Sequence, residues 1–229
     1  APSRWRKLGR ALVEAFRIAA PHALVIAVGY ALVLDAMPLA EAGRWRSVAL
    51  DLAVGGVLFG FATFVSVAIF KWLAVGRYRR RAVPMWTPFV WLSEATTNMY
   101  EGITVPWFLR YLRGTPWLSD AFNLLGAHIG RGVYLDTTDI TEFDCVHIGD
   151  HSELNAACCP QTHLFEDRVM KIDDVRIGSR VTLGPRCTVL YGAQVGDGAQ
   201  LGPLTLVMKG ENIPPGTRWH GLPAAPWRG

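Results

Sequence analysis

Residues 177–213 read IGSRVTLGPRCTVLYGAQVGDGAQLGPLTLVMKGENI and repeat every six residues. Every sixth position holds an aliphatic residue, namely Ile177, Leu183, Val189, Val195, Leu201, Val207 and Ile213. Mostly small side chains follow four residues later, at Val181, Cys187, Ala193, Ala199 and Thr205. A period of six fits neither an α-helix nor a simple strand and is typical of β-helix repeats. The stretch therefore predicts a prism of short parallel strands with the aliphatic residues along its axis.

The repeat extends upstream but is interrupted. Ile148 and Leu154 keep the same spacing, and Ile129 and Leu135 keep it one residue out of phase. Residues 160–171, PQTHLFEDRVMK, place no aliphatic residue at the required steps. We therefore expect this segment to leave the prism wall as an inserted loop. Loops held by a rigid scaffold often carry function.

Charge divides the chain into unlike halves. Residues 1–125 carry 14 basic and 7 acidic residues, whereas residues 126–229 carry 9 and 12. The basic half is rich in tryptophan and lacks the basic stripe with interleaved aromatic residues of nucleic-acid modules, which favours a membrane surface over nucleic acid. The four cysteines form no CxxC pair, so we expect reduced thiols and no metal site.

Two apolar runs, residues 18–40 and 48–75, each reach the roughly 20 residues that a membrane-spanning helix requires. Asp35, Asp51 and Lys71 lie near the ends of these runs, where we expect them to reach the headgroups. A buried hairpin in the core of a larger protein is the alternative.

Basic residues predict the orientation of this hairpin. Five precede the first run, two lie in the connecting loop, and five lie at the end of the second run and just after it. The positive-inside rule then places both ends, and the β-helix, on the cytoplasmic side of the plasma (inner) membrane.

Residues 84–125 are rich in aromatic residues but are broken by four prolines, so no stretch is long enough to span. We expect short amphipathic helices at the membrane interface, one of them running from Thr115-Pro116 to Gly126. The predicted organisation is a transmembrane hairpin (1–83), interfacial helices (84–125) and a β-helix (126–229) with a loop at 160–171.

Four strings resemble a known family: TEFD (141–144), QTHLFEDRVMK (161–171), VLY (189–191) and LVMKGE (206–211). They are similar to the C-terminal condensing domains of nonribosomal peptide synthetases of the poly-ε-lysine synthetase type. In that family, adenylation and carrier domains precede membrane helices that alternate with three β-helix domains of the hexapeptide-repeat acyltransferase superfamily. The resemblance covers residues 85–225 and implies a left-handed parallel β-helix.

The implied reaction is peptide-bond formation, in which an amine attacks an aminoacyl thioester held on a phosphopantetheine arm. The ammonium must lose a proton, and histidine is the natural base near neutral pH. His163 matches the position of the histidine in hexapeptide acyltransferases and is the predicted base, with a loop-anchoring role as the alternative. Asn155 is a candidate for orienting His163 or an oxyanion, although asparagine in a β-helix turn is often a ladder residue.

Charged residues in and near the loop are candidates for substrate binding. The carboxylates of Glu142, Asp144, Glu166 and Asp167 could bind a cationic amine, or could form a salt-bridged base for the loop with Arg168 and Lys171. Lys209 and Glu211, beside the last coils, could serve the carrier arm or form a solvated pair.

The resemblance implies these partners: a carrier domain of the same synthetase, sibling β-helix domains in a trimer or pseudo-trimer, the lipid bilayer, and a basic amino acid such as lysine. No tightly bound cofactor is expected, because the carrier supplies the phosphopantetheine thioester. Two other functions stay open: a stand-alone membrane O- or N-acyltransferase using acyl-CoA, and a non-catalytic β-helix scaffold.

Overall fold

The computed structural model describes residues 4–227. The described residues form two compact units, one containing residues 4–67 and 94–108 and the other residues 68–93 and 109–227. The three-part division expected from the sequence stays a prediction.

The α-helices are α1 Arg4–Glu41, α2 Trp45–Phe70, α3 Pro88–Met99, α4 Val105–Trp107 and α5 Pro116–Leu125. The strands are β1 Arg81–Pro84, β2 His128–Ile129, β3 Tyr134–Leu135, β4 Val146–Ile148, β5 Glu153–Leu154, β6 Cys159–Gln161, β7 His163–Glu166, β8 Val169–Ile172, β9 Val175–Ile177, β10 Thr182–Leu183, β11 Thr188–Leu190, β12 Gln194–Val195, β13 Gln200–Leu201, β14 Leu206–Val207, β15 Asn212–Ile213, β16 Arg218–His220 and β17 Ala225–Pro226.

Two helical segments, Ala11–Glu41 and Trp45–Val75, are long and apolar enough to cross a membrane by length and composition. The second consists of α2 and a π-helical turn, Lys71–Val75. Within the first unit, Gly60 lets the backbone of Trp107 approach α2 closely, because a Cβ at this position would overlap the Trp107 carbonyl.

Proline breaks residues 84–125 into short elements, as the sequence predicts. Helix α3 is followed by a π-helical turn (Tyr100–Thr104), then α4, a 3₁₀ turn (Leu109–Leu112) and α5. The expected boundaries of the last helix are confirmed. Thr115 is its extended N-cap, Pro116 its first residue, and Gly126 its left-handed C-cap at φ 110°.

The repeat forms three parallel sheets, and from β9 onward the paired strands lie three hexads apart in sequence. Thr182 pairs with Gln200, Thr188 with Leu206 and Gln194 with Arg176. The sheets run β16-β13-β10-β5-β3, β14-β11-β6 and β15-β12-β9-β4-β2. This pairing describes a three-sided parallel β-helix, and its left hand stays a prediction. The hexad aliphatics are buried as predicted, with at most 3% exposure from residue 177 to residue 213.

The corners of the prism need a left-handed backbone once in every hexad. Positive φ angles recur six residues apart at Arg180, Arg186, Gly192, Gly198, Leu204, Gly210 and Gly216. For residues other than glycine this conformation costs roughly 1–2 kcal/mol each. The ladder of hydrogen bonds between coils must offset that cost.

The predicted loop at 160–171 is wrong in both its start and its form. Pro160 is buried opposite Val189 in β6, so it occupies the next aliphatic step and the chain leaves the wall only after Gln161. Strands β7 and β8 then form an antiparallel hairpin, and β1 pairs with β8 as a third strand. Met170 and Ile172 alternate toward a buried core with Tyr78, Val90 and Cys145, which holds the excursion in place.

Candidate active site

His163 and Glu142 form the closest pair of predicted site residues. His163 opens β7, and Glu142 precedes a 3₁₀ turn, Phe143–Cys145. The Nδ1 atom of His163 lies 2.7 Å from Oε2 of Glu142, with side-chain exposures of 14% and 0%. An ionised carboxylate only accepts hydrogen bonds, so Nδ1 carries the proton and Nε2 keeps the basic lone pair of the neutral ring. This arrangement suits a general base.

Two threonines fix the carboxylate of Glu142. The hydroxyls of Thr141 and Thr162 donate to Oε2 at 2.9 and 2.6 Å, so this oxygen accepts three hydrogen bonds together with His163. Within residues 4–227, the other oxygen, Oε1, is buried without a hydrogen-bond partner. These contacts make Glu142 the partner of the histidine, and substrate binding by Glu142 stays a prediction. Both threonines lie inside the TEFD and QTHLFEDRVMK strings, but no sequence signal distinguishes them as partners of Glu142.

Glu166 is engaged by two lysines. Its carboxylate oxygens lie 2.7 Å from Nζ of Lys171 and 2.5 Å from Nζ of Lys209, and Tyr191 donates its hydroxyl at 3.3 Å. The hydrogen bond from Lys171, followed by that from Lys209, lowers the pKa of Glu166 to about 2. The same carboxylate raises the pKa values of both lysines. Glu166 therefore latches the β7–β8 hairpin to the coils, and its contact with Lys171 is the salt bridge that the sequence offered as the alternative. Binding of a cationic amine by Glu166 stays a prediction.

Glu166→Gln is expected to loosen the hairpin and to speed trypsin cleavage after the exposed Arg168 at its tip. The effect should be modest, because partly exposed ion pairs contribute little. Since the folded pKa is depressed, the latch contributes at pH values above the ordinary carboxyl pKa and weakens only as the pH falls toward about 2. Asp167→Asn, at the exposed neighbouring position, is the matched control. Equal cleavage rates for the two variants would refute the latch.

Asp167 and Arg168 form the two-residue turn of the hairpin, with φ angles of 52° and 61°. Both side chains are exposed, so they are accessible to a substrate or carrier domain. Glu211 lies elsewhere, in the coil that carries Lys209, and its carboxylate accepts the backbone N–H of Met208 at 2.8 Å. Lys209 contacts Glu166 instead of Glu211, so the two residues do not form the predicted pair.

Asp144 and Asn155 make structural contacts. Asp144 lies 2.7 Å from the ammonium of Lys71, which is completely buried. The expectation that Lys71 reaches the headgroups is therefore wrong. The side-chain amide of Asn155 donates to the carbonyl of Leu183 at 2.8 Å, in the next coil. This is the ladder contact, and a catalytic role for Asn155 stays a prediction.

The buried cysteines have interior contacts. Burial raises the pKa of the Cys145 thiol to about 12, which keeps it protonated. The thiol of Cys158 donates to the carbonyl of Gly184 at 3.1 Å, and that of Cys187 to the carbonyl of Gly202 at 2.9 Å. In the part of the chain that the structure describes, no group of three or more His, Cys, Asp or Glu residues could hold a metal ion.

The chain is similar to the delta-poly-L-ornithine synthetase of Acinetobacter baumannii (strain AB307-0294). The two sequences are 51% identical over 226 residues, which is 99% of this chain and 17% of the synthetase. The chain thus spans about a sixth of that protein's length. No family model matches the chain.

Solved structures with partial similarity are hexapeptide-repeat acetyltransferases and related enzymes. A hexapeptide-repeat-containing acetyltransferase from Vibrio cholerae gives a TM-score of 0.42 at 16% identity, covering 52% of this chain and 85% of its own. Galactoside acetyltransferase in complex with coenzyme A gives 0.41 at 18% identity, covering 52% and 76%. A serine acetyltransferase from Neisseria gonorrhoeae gives 0.37 at 12% identity, covering 88% and 95%. The strand pairing of this chain by itself defines the three-sided β-helix.

Proposed function

We propose that this chain is a membrane-tethered condensation module of a poly(amino acid) synthetase. The observation that carries the proposal is the contact between the half-buried His163 and the buried Glu142, 2.7 Å apart. Each residue belongs to one of the motifs that resemble condensing domains. The 51% identity to a delta-poly-L-ornithine synthetase supports the same reaction class.

In the proposed reaction, Nε2 of His163 accepts a proton from the substrate ammonium. The freed amine attacks the thioester carbonyl and forms a tetrahedral intermediate. The C–S bond then breaks, the attacking nitrogen passes its second proton to the leaving phosphopantetheine thiolate, and a neutral amide and a thiol remain. His163 afterwards releases the first proton to solvent. Glu142 stabilises the imidazolium that forms in between and fixes the ring orientation.

We propose a basic amino acid, such as ornithine or lysine, as the amine. The relative's name supports ornithine. Of the predicted acidic ligands, Asp167 has the exposed carboxylate, whereas Glu166 is bound by two lysines. We therefore expect Asp167 at the hairpin tip to contribute to attracting the cation.

The proposed placement is the plasma (inner) membrane, with both candidate spans crossing it and the β-helix in the cytoplasm. Their length and apolar composition support this placement. Basic residues support the orientation, since the loop between the runs has two and each outer flank has five. A left-handed coil, sibling β-helix domains packed in threes, and a carrier domain as thioester donor complete the proposal.

A single cysteine introduced at Gly43, in the turn between α1 and α2, is expected to react with a membrane-impermeant maleimide on intact cells. The turn lies outside if the five-two-five distribution of basic residues sets the orientation. A cysteine introduced at Gly198, a corner of the β-helix, should react only after permeabilisation. The opposite labelling pattern would contradict the orientation.

The intact synthetase tests the reaction class directly. Its carrier domain is loaded with an aminoacyl group, free ornithine or lysine is added, and the amide product is identified by mass spectrometry. Amide formation that requires the loaded carrier supports the proposal. Transfer from acyl-CoA to simple amines or alcohols would favour a stand-alone acyltransferase, and unchanged condensation after disrupting the β7–β8 hairpin would favour a non-catalytic scaffold.

A further inference from the structure

Lys71 is a fully buried cation at the end of α2. Its side chain has 0% exposure and lies in the π-helical turn that continues the helix. An ammonium removed from water is destabilising by several kcal/mol unless it is well paired. Here Nζ lies 2.7 Å from Oδ2 of Asp144 and 3.4 Å from the centre of the Trp72 ring. One carboxylate and one aromatic ring thus face this buried charge.

Asp144 is fixed from a second side. The backbone N–H of Tyr78 donates to the same Oδ2 atom at 3.1 Å. Gly126, which ends α5, leaves room for the pair, since a Cβ there would lie 2.6 Å from Oδ1 of Asp144 and 2.9 Å from Nζ of Lys71. The indole N–H of Trp72 donates to the carbonyl of Leu124 at 3.0 Å. The ion pair therefore joins the end of α2, the end of α5 and the 3₁₀ turn after Glu142.

Asp144 stands two residues from Glu142, and the turn between them is tight. The N–H of Cys145 donates to the carbonyl of Glu142 at 2.8 Å. Glu142 has φ 39°, a left-handed conformation that costs a residue with a side chain roughly 1–2 kcal/mol. Such a backbone persists only where its surroundings hold it. Lys71 restrains this backbone through its ion pair with Asp144. The side chain of Glu142 in turn accepts the hydrogen bond from His163.

We propose that the Lys71–Asp144 ion pair is a positioning device for the Glu142–His163 pair. The inference rests on the proposed function, because it assigns the two residues to that reaction. Neither of them touches the reacting atoms, and both act through the backbone of Glu142. As a consequence, the orientation of the catalytic base, His163, depends on Lys71 at the end of the second candidate membrane span.

Lys71→Met in the intact synthetase is expected to lower the rate of condensation with ornithine or lysine by about 10- to 100-fold, since small misplacements of catalytic groups have effects of this size. The apparent KM for the amine and the loading of the carrier domain should be unchanged. Arg80→Gln is the matched control. It also removes a cation from an ion pair with an aspartate, Asp173, but this arginine is 80% exposed. If Lys71→Met does not accumulate, Asp144→Asn tests the same contact with a side chain of equal size.

A second readout separates positioning from a general loss of structure. Hydroxylamine is largely uncharged at neutral pH and needs no base before it attacks. Lys71→Met should therefore slow the reaction of the cationic amine far more than that of hydroxylamine, and should add little in a Glu142→Gln background. Equal losses with both nucleophiles, or rates within about twofold of wild type while Glu142→Gln is slow, would overturn the inference and leave the proposed function standing. Normal rates in His163→Ala would overturn both.

Discussion

Replacing His163 by alanine is expected to lower the rate of condensation by about 10²- to 10⁴-fold, the usual contribution of a well-placed general base. The reason is that the substrate amine arrives as an ammonium, which cannot attack a thioester until it loses a proton. The imidazole lies at the start of β7, 2.7 Å from a buried carboxylate, and is 14% exposed. The measurement is single-turnover amide formation in the intact synthetase at saturating amine.

Expression, membrane insertion and carrier loading should not change in His163→Ala, because His163 is not part of the apolar cluster around Met170 and Ile172 that holds the hairpin. His151→Asn is the control. His151 is an exposed corner residue with φ 57°, a conformation that asparagine tolerates. Near-normal turnover in His163→Ala would show that the histidine only anchors the hairpin.

Glu142→Gln is expected to lower the condensation rate by about 10²- to 10⁴-fold as well, although the side chain keeps its shape. A glutamine can present an amide donor to Nδ1 of His163, which moves the ring proton to Nε2 and removes the basic lone pair from the substrate side. The hydroxyls of Thr141 and Thr162 also lose a charged acceptor. The measurement is kcat with ornithine or lysine in the intact synthetase.

The double variant Glu142→Gln/His163→Ala should be about as slow as His163→Ala alone, because residues that act as one unit have strongly non-additive effects. Multiplied losses in the double variant would assign Glu142 a role independent of the histidine. A second control is Glu153→Gln, an exposed carboxylate on β5, which should leave the rate unchanged.

The prism could be predicted from the sequence because each hexad meets the same local constraint. One aliphatic side chain must fill the axis and a small one must fit the corner. The pattern from Ile177 to Ile213 therefore predicts the β-helix directly. The helix that begins at Pro116 and is capped by Gly126 could also be predicted, because proline at the first position and glycine at the C-cap are local signals.

The excursion was harder to predict because its signals are not those of the repeat. Pro160 fills an axial position without being aliphatic, and the alternation of buried Met170 and Ile172 over four residues is too short to announce a strand. The partners of β8 also come from distant sequence, since β1 lies about ninety residues upstream.

The candidate site depended on contacts that no local pattern encodes. His163 was a natural candidate because of its chemistry, but Glu142 lies 21 residues before it and was one acid among several. In the sequence, Asp144 resembles the other candidate substrate ligands. Only its distance of 2.7 Å to Nζ of Lys71 shows that it forms a buried ion pair. Charge composition can indicate candidate residues, but only the three-dimensional structure shows which carboxylate accepts the hydrogen bond from the histidine.

In the proposed reaction, His163 removes a proton from the amine before it attacks. The most direct test compares single-turnover rates of wild type and His163→Ala with two nucleophiles, ornithine or lysine as a cationic amine and hydroxylamine as a nucleophile that needs no deprotonation before it attacks. The expected losses are about 10²- to 10⁴-fold with the amino acid and below about tenfold with hydroxylamine. Equal losses with both nucleophiles, or no loss with either, would contradict this role of His163.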